Sequence, residues 1–334
     1  MNARITLILV VLLVVLGGAA IVYYQQERGR QAGNVGTLGQ PVLKDLQAAQ
    51  VSEIRIQEPK SALTVQRKDE RWVIAERDGF PADVGKVREF VVQALSLKVG
   101  QSEPIGEKDR ARLNLDDSGT RVEFADAGGK ALATLIVGKK YFKREVENPE
   151  KARADGRFVA RPADPKTVYI VADPLTQASA RSADWIDRTS FKVEKVKSLE
   201  VRYPDGGGWR IERDGDNADW RLAGQRPGEK LDLPKANAAS YSLSLLELAD
   251  VAPKDVKDTG LDKPVLIEAT TLEGVAYSIK VGKLEGDNYY VTYTSSGDPR
   301  KFLSDYVLLI PKAKLEDTLK KRAELLEQKD EAKK

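Results

Sequence analysis

The 334-residue chain has no cysteine, no histidine and one methionine. Without cysteine there are no disulfides, thiol nucleophiles or thiolate metal sites. Without histidine the commonest catalytic base and the commonest transition-metal ligand are gone. Carboxylates, Lys, Tyr, Ser and Thr remain for chemistry, which counts against most hydrolases and redox enzymes. Charge imbalance is also small: 54 basic residues face 51 acidic ones, a net +3. Arg4, Arg28 and Arg30 against Glu27 supply +2 of that within the first 35 residues. A chain that neutralised many phosphates would show a basic excess or stripe, so nucleic acid is not an expected partner.

One long hydrophobic run is present. Ile5 to Tyr24 reads ITLILVVLLVVLGGAAIVYY, twenty residues without a charge. As a helix rising about 1.5 Å per residue it spans roughly 30 Å, the thickness of a hydrocarbon core. Tyr23 and Tyr24 fall at its far end, where amphipathic rings favour the interface. Gly17-Gly18-Ala19-Ala20 offers small residues for a cleaved signal, but the run continues past them and exceeds the usual signal core of about 7–15 residues. The reading is therefore an uncleaved single-pass anchor over residues 1–26. Arg4 favours a cytoplasmic start and Arg28 and Arg30 oppose it; long following domains translocate largely regardless of charge, and the body is expected outside the cytoplasm. Residues 27–50 hold a glycine-bearing spacer and lead-in.

Beyond the spacer the chain repeats itself. Val51–Lys60 (VSEIRIQEPK) matches Val196–Asp205 (VKSLEVRYPD), each alternating apolar and polar residues up to a proline. Leu63–Arg67 matches Trp209–Arg213, and after polar turns Trp72-Val-Ile-Ala matches Trp220-Arg-Leu-Ala. Helices are expected at Ala82–Leu97, with Asp83 as N-cap, and at Leu233–Leu248, with Pro234 in its first turn. Asn114-Leu115-Asp116 then matches Gly260-Leu261-Asp262, an Asn-for-Gly exchange that suggests a shared left-handed turn. Arg121–Phe124 with Ala131–Val137 matches Val265–Ala269 with Ala276–Val281, both second strands ending in Val-Gly-Lys at Gly138 and Gly282. Gly156–Arg161 and Thr167–Ala172 match Asn288–Thr294 and Tyr306–Ile310, and terminal helices are expected at Leu175–Arg188 and from Ala313 to Gln328. The reading is α+β: two tandem units over 51–190 and 191–328, each a mostly antiparallel sheet of about seven strands with helices packed on it, then a polar tail at 329–334. The tryptophans, Trp72, Trp185, Trp209 and Trp220, read as core, with Trp185 on a helix.

This pattern resembles the bacterial family known as domain of unknown function 4340. The resemblance covers nearly the whole chain and is carried by Trp72, Trp220, Gly260-Leu261-Asp262-Lys263-Pro264 and Ile279-Lys-Val281-Gly282; the first copy departs from it with Asn114 and Asp117-Ser118. It implies a bacterial inner-membrane setting with the body facing the periplasm or exterior, and an extracytoplasmic accessory or scaffold role beside a gliding-type ABC transporter, with the permease and auxiliary subunit as partners. No catalytic residues come with the resemblance.

Local motifs read as structure. Val-Gly-Lys lacks the GxxxxGK[ST] context of a phosphate loop and reads as a turn. Asp214-Gly-Asp216-Asn-Ala-Asp219 places Ala and Asp where a calcium loop needs an oxygen ligand and Gly, and reads as a hairpin turn. Gly206-Gly207-Gly208 sits between strands and reads as a loop. Thr189-Ser190-Phe191-Lys192 lacks the base and orienting group of a nucleophile, and Asp116-Asp117 is an ordinary acidic pair. No cofactor or metal is expected, and the chain reads as a non-enzyme. The segment that stands out is Lys139-Lys140-Tyr141-Phe142-Lys143-Arg144, four cations around two aromatics, a candidate surface for a membrane or an acidic partner. Two other classes stay open: an envelope ligand- or glycan-binding module using a groove between the copies, and a carboxylate-dependent hydrolase.

Overall fold

The computed structural model describes residues 37–327 and, apart from them, residue 18. The anchor expected at Ile5–Tyr24 and the polar tail lie outside the described residues. Among the described residues, no helix is long and apolar enough to cross a membrane. Residues 37–73 and 84–184 form one compact unit, and residues 74–83 with 185–327 a second.

In the first unit the strands are β1 (Glu53–Glu58), β2 (Ser61–Lys68), β3 (Arg71–Ile74), β5 (Gln101–Pro104), β6 (Thr120–Ala125), β7 (Ala131–Tyr141), β8 (Gly156–Arg161) and β9 (Asp164–Val171); the two-residue β4 (Phe80–Pro81) lies in the segment that belongs to the second unit. The second unit adds β10 (Val196–Arg202), β11 (Gly208–Glu212), β12 (Arg221–Leu222), β13 (Asp250–Val251), β14 (Val265–Thr271), β15 (Ala276–Glu285), β16 (Asn288–Ser295) and β17 (Leu308–Pro311). The strand sequence β3-β2-β1-β6-β7-β8-β9-β5 in one sheet repeats as β12-β11-β10-β14-β15-β16-β17-β13 in the other. Eight strands thus match one for one, which confirms the duplication in space.

Period-two alternation sets the register of these sheets. Ile54 faces Val65 and Ile56 faces Leu63; in the second unit Leu199 faces Ile211 and Val201 faces Trp209. All eight side chains are buried. Removing each aliphatic one from water is worth about 1.5–3 kcal/mol before entropy is charged. A slip of one residue would turn all of them outward, so the core itself holds the pairing. The outermost strands β5, β12 and β13 are only two to four residues long, and Pro104 ends β5, which blunts the sheet edges.

Helices are fewer than the α+β reading expects, and the molecule is mostly β. Helix α1 (Val84–Ser96) forms where the three- and four-residue spacing predicts it and buries Val87, Phe90, Val91 and Ala94, with Phe90 stacked on Phe124 of β6 at 5.9 Å. A one-turn helix α2 (Glu107–Arg112) precedes β6. Helix α3 (Leu233–Tyr241) starts at Asp232, whose side chain accepts from the Lys235 amide, and is shorter than expected.

Neither terminal helix forms. In the Leu175–Arg188 stretch, Leu175 has φ +48° and its amide donates to Asp173 Oδ1, a turn that a helix cannot contain. Trp185 and Ile186 are consecutive and both buried, and Ile186 bridges Ala82 as extended backbone, so Trp185 is core but not helical. At the other end only α4 (Lys312–Leu315) is helical in the α sense; the chain then turns, makes a 3-10 turn at Arg322–Leu325 and pairs Leu326 with Leu231. Tertiary pairing overrides the apolar period in both places. Trp209 and Trp220 are buried as well, whereas Trp72, on the short strand β3, is only half-buried.

One ion pair closes that C-terminal segment. Arg322 donates to Glu229 Oε2 at 2.7 Å and to Gly224 O at 2.9 Å. The Arg322 guanidinium, helped by the Arg226 amide, holds the Glu229 carboxyl down to about 2, against an ordinary 4.5. The folded form therefore binds fewer protons than the unfolded chain, so this stabilisation is complete at neutral pH and is lost as pH falls from about 4.5 toward 2. Glu229→Gln is expected to flatten the fall of melting temperature across that window; melting curves of the two proteins that stay parallel between pH 5 and pH 2 would refute the assignment.

Candidate functional site

The repeated motifs meet at one place in each sheet. Strand β7 does not stop at Val137-Gly138-Lys139 but runs on to Tyr141, with its pairing to β8 stepping from Val137 opposite Val159 to Lys140 opposite Arg157. Strand β15 does the same, from Val281 opposite Val291 to Leu284 opposite Tyr289. Each glycine therefore lies in a β-bulge inside a strand, and the turn reading of Val-Gly-Lys is corrected. The bulge receives a loop carbonyl: the Lys139 amide donates to Leu113 O at 2.9 Å, and the Lys283 amide to Thr259 O at 2.8 Å. A Cβ on Gly138 would stand 2.4 Å from Leu113 O, and one on Gly282 2.2 Å from Thr259 O. The residues next along the loop, Asn114 and Gly260, take φ of +54° and +69°, the left-handed turn the Asn-for-Gly exchange suggested. Leu115 then lies over Gly138 and Leu261 over Gly282. Asp262 is exposed. These residues lock a loop onto a strand.

The basic run leaves the first of these bulges and does not stay together as one surface. Lys139 is exposed at the bulge. Lys140 is half-buried and its Nζ donates to Pro149 O (3.1 Å), Glu150 O (2.7 Å) and Ala152 O (3.3 Å), so it organises a loop. Tyr141 packs edge-on against Phe158 at 5.4 Å, Phe142 is half-buried, and Lys143 and Arg144 are exposed, the Lys143 amide donating to Asp155 Oδ2 at 3.0 Å.

Beside the bulge lies a cavity of about 640 Å³, where Gly138, Lys139 and Lys140 meet Asn114, Thr120 and Arg157. Arg157 was not singled out by sequence reasoning. It stands on β8 opposite Lys140 and is half-buried, its Nε is buried without a hydrogen-bond partner, and among the described residues it makes no ion pair. Burial pulls its guanidinium below the ordinary value, with nothing opposing. The signal was present in the repeat: counting along the matched strands, Arg157 replaces Tyr289 and Lys140 replaces Leu284.

The second unit has cavities of a different kind. One of about 740 Å³ includes Lys195, Arg213 and Asp216, but Lys195 pairs with Glu273 at 2.9 Å and Arg213 with Asp216 at 2.8 Å. The former calcium-loop acid Asp214 is likewise taken by Arg221 at 2.7 Å. A smaller one of about 370 Å³ holds Ser190 and Asp298. Asp298 Oδ1 accepts from the Arg300 amide while Oδ2 is buried without a partner, as is Ser190 Oγ, so no base engages that hydroxyl. Phe191 stacks on Tyr293 at 3.8 Å, whose phenol is pushed up by burial and by the Asp298 charge. Among the described residues no three acidic side chains gather as a metal-holding group.

A family model described as "Domain of unknown function (DUF4340)" matches residues 72–264, from the tryptophan of the first copy to the proline after Gly-Leu-Asp-Lys in the second. No curated protein and no solved structure matches the chain.

Proposed function

This chain belongs to the family described as domain of unknown function (DUF4340), and on that premise we propose that it is a non-catalytic, membrane-anchored accessory or scaffold subunit of an ABC-type transport system, its body outside the cytoplasm. The observation that carries the reading is where the shared motif residues are used. Gly138, Gly282, Asn114 and Gly260 serve the two bulges, and Trp220 serves the core, its Nε1 donating to Asn237 on α3 at 2.9 Å. These recurring residues are thus spent on building sheets, and the recurring lysines Lys139 and Lys283 give their backbone amides to the bulge carbonyls. The apolar run Ile5–Tyr24 adds a tether. A tethered body meets partners in the same membrane at an effective concentration on the order of millimolar, so weak contacts suffice and no deep site is needed.

Cross-linking in membranes, followed by purification of the full chain in mild detergent, tests this. A permease-like integral subunit and an ATPase are expected to come down with it, and to be lost when residues 1–36 are exchanged for a cleavable signal. Recovery of the chain alone after efficient cross-linking would reject the scaffold role.

A further inference from the structure

The duplicated sheet contains its own control for the cavity at the first bulge. At the second bulge Lys283 is neutralised: Asp258, the residue before Thr259, pairs with its Nζ at 2.5 Å. The residue before Leu113 in the first copy is Arg112, which turns to Asp109 on the exposed side at 3.2 Å. The first copy therefore lacks the acid that answers the bulge lysine. It also carries further cations, with Lys140 in the place of Leu284 and Arg157 in the place of Tyr289. Lys140 spends its donors on three loop carbonyls, and Lys139 and Arg157 make no ion pair among the described residues. The one acid in the cavity lining is Glu150, and it is exposed.

An unpaired guanidinium taken partly out of water is costly, and a fold keeps one cheaply only where an anion arrives to pair with it. We propose that this cavity binds a phosphate ester, whose phosphoryl oxygens take the Arg157 guanidinium and the Lys139 ammonium in the place of the carboxylate that the second copy carries. Arg offers several donors in a fixed fork and Lys a point charge, a combination suited to the non-bridging oxygens of a phosphate mono- or diester. The Thr120 hydroxyl and the Asn114 amide line the same space as neutral donors. A volume of about 640 Å³ exceeds what a bare phosphate fills and falls in the range, roughly 300–1,000 Å³, of sites for small organic molecules. Val137 and Phe142 supply an apolar wall for the carbon body of the ester. The site is independent of whether the chain assembles with a transporter.

Calorimetric titration of the full chain in nonionic detergent tests the proposal with two probes, glycerol 3-phosphate in solution and phosphatidylglycerol doped into the micelles, against micelles holding phosphatidylcholine only. Saturable binding of glycerol 3-phosphate identifies a soluble ester as the source; saturation by phosphatidylglycerol alone identifies a lipid headgroup. In either case Arg157→Gln and Lys139→Ala are expected to weaken binding at least tenfold, and Lys283→Ala to change it less than twofold. Lys139 is exposed, so its variant keeps the fold even where the Arg157 variant does not. No binding of either probe by the wild-type chain overturns the site, as does unchanged affinity in folded Arg157→Gln or in Lys139→Ala.

Discussion

Gly282→Ala is expected to destabilise the second unit by about 3 kcal/mol, and Gly138→Ala the first by a similar amount, because each added methyl must displace a backbone carbonyl. The Cβ positions fall 2.2 and 2.4 Å from Thr259 O and Leu113 O, and those carbonyls are held by the Lys283 and Lys139 amides on the same strands. Relief by moving the loop breaks that hydrogen bond; relief by moving the strand breaks the ladder. Neither glycine has a positive φ, so the cost is one of space and not of backbone conformation. Gly286 provides the contrast: its φ is +57° and nothing lies within 4 Å of an added Cβ. Gly286→Ala should cost only the left-handed penalty of about 1–2 kcal/mol. At about 2–4 °C per kcal/mol for domains of this size, Gly282→Ala lowers the melting temperature by roughly 6–12 °C. If thermal unfolding ranks Gly286→Ala as the more damaging of the two, the carbonyl clash is not what these glycines relieve.

The glycines also mark the boundary of what pattern alone discloses. Alternation at period two, as in the inward-facing Ile54 and Ile56, together with the match between the copies located fourteen of the strand segments. The Asn114-for-Gly260 exchange disclosed a left-handed turn because few residue types tolerate one. The bulge stayed hidden because the atom that excludes a side chain at Gly138 belongs to Leu113, on a loop that meets the strand only in the folded chain. Strands β5 and β13 were missed because QSEP and DV carry no tryptophan or other repeated residue to mark them, as Trp72 and Trp220 mark β3 and β12, and they form against β9 and β17. The terminal helices failed in the opposite direction, since Leu315, Leu319 and Leu326 keep a helical spacing while the chain breaks into turns and a 3-10 turn before Leu326 pairs with Leu231. At the candidate site, Lys139 and Lys140 were visible as a charge run. Arg157 was not, because its meaning lies in the lack of a carboxylate paired with it across two strands and a loop.

The compact units also depart from the sequence repeat at residues 74–83, and Phe80→Ala should reveal it. This residue stands in the first copy by sequence, yet its ring is buried against Tyr306, edge-on at 4.9 Å, and lies 6.2 Å from Phe302. Around it Arg77 pairs with Asp250 at 2.9 Å, Asp78 with Lys254 at 3.0 Å, and the Asp83 amide donates to Trp185 O at 2.7 Å. Every one of those partners belongs to the second unit. Truncating a fully buried phenylalanine costs about 3–5 kcal/mol through lost transfer energy and the cavity left behind. Local opening is governed by the unit a residue packs in and not by its place in the chain. Hydrogen exchange on the full-length variant is therefore expected to rise across 185–327 while the protected amides of 84–184 keep their wild-type rates. The reverse distribution would return Phe80 to the first unit and make the ring contacts with Tyr306 incidental.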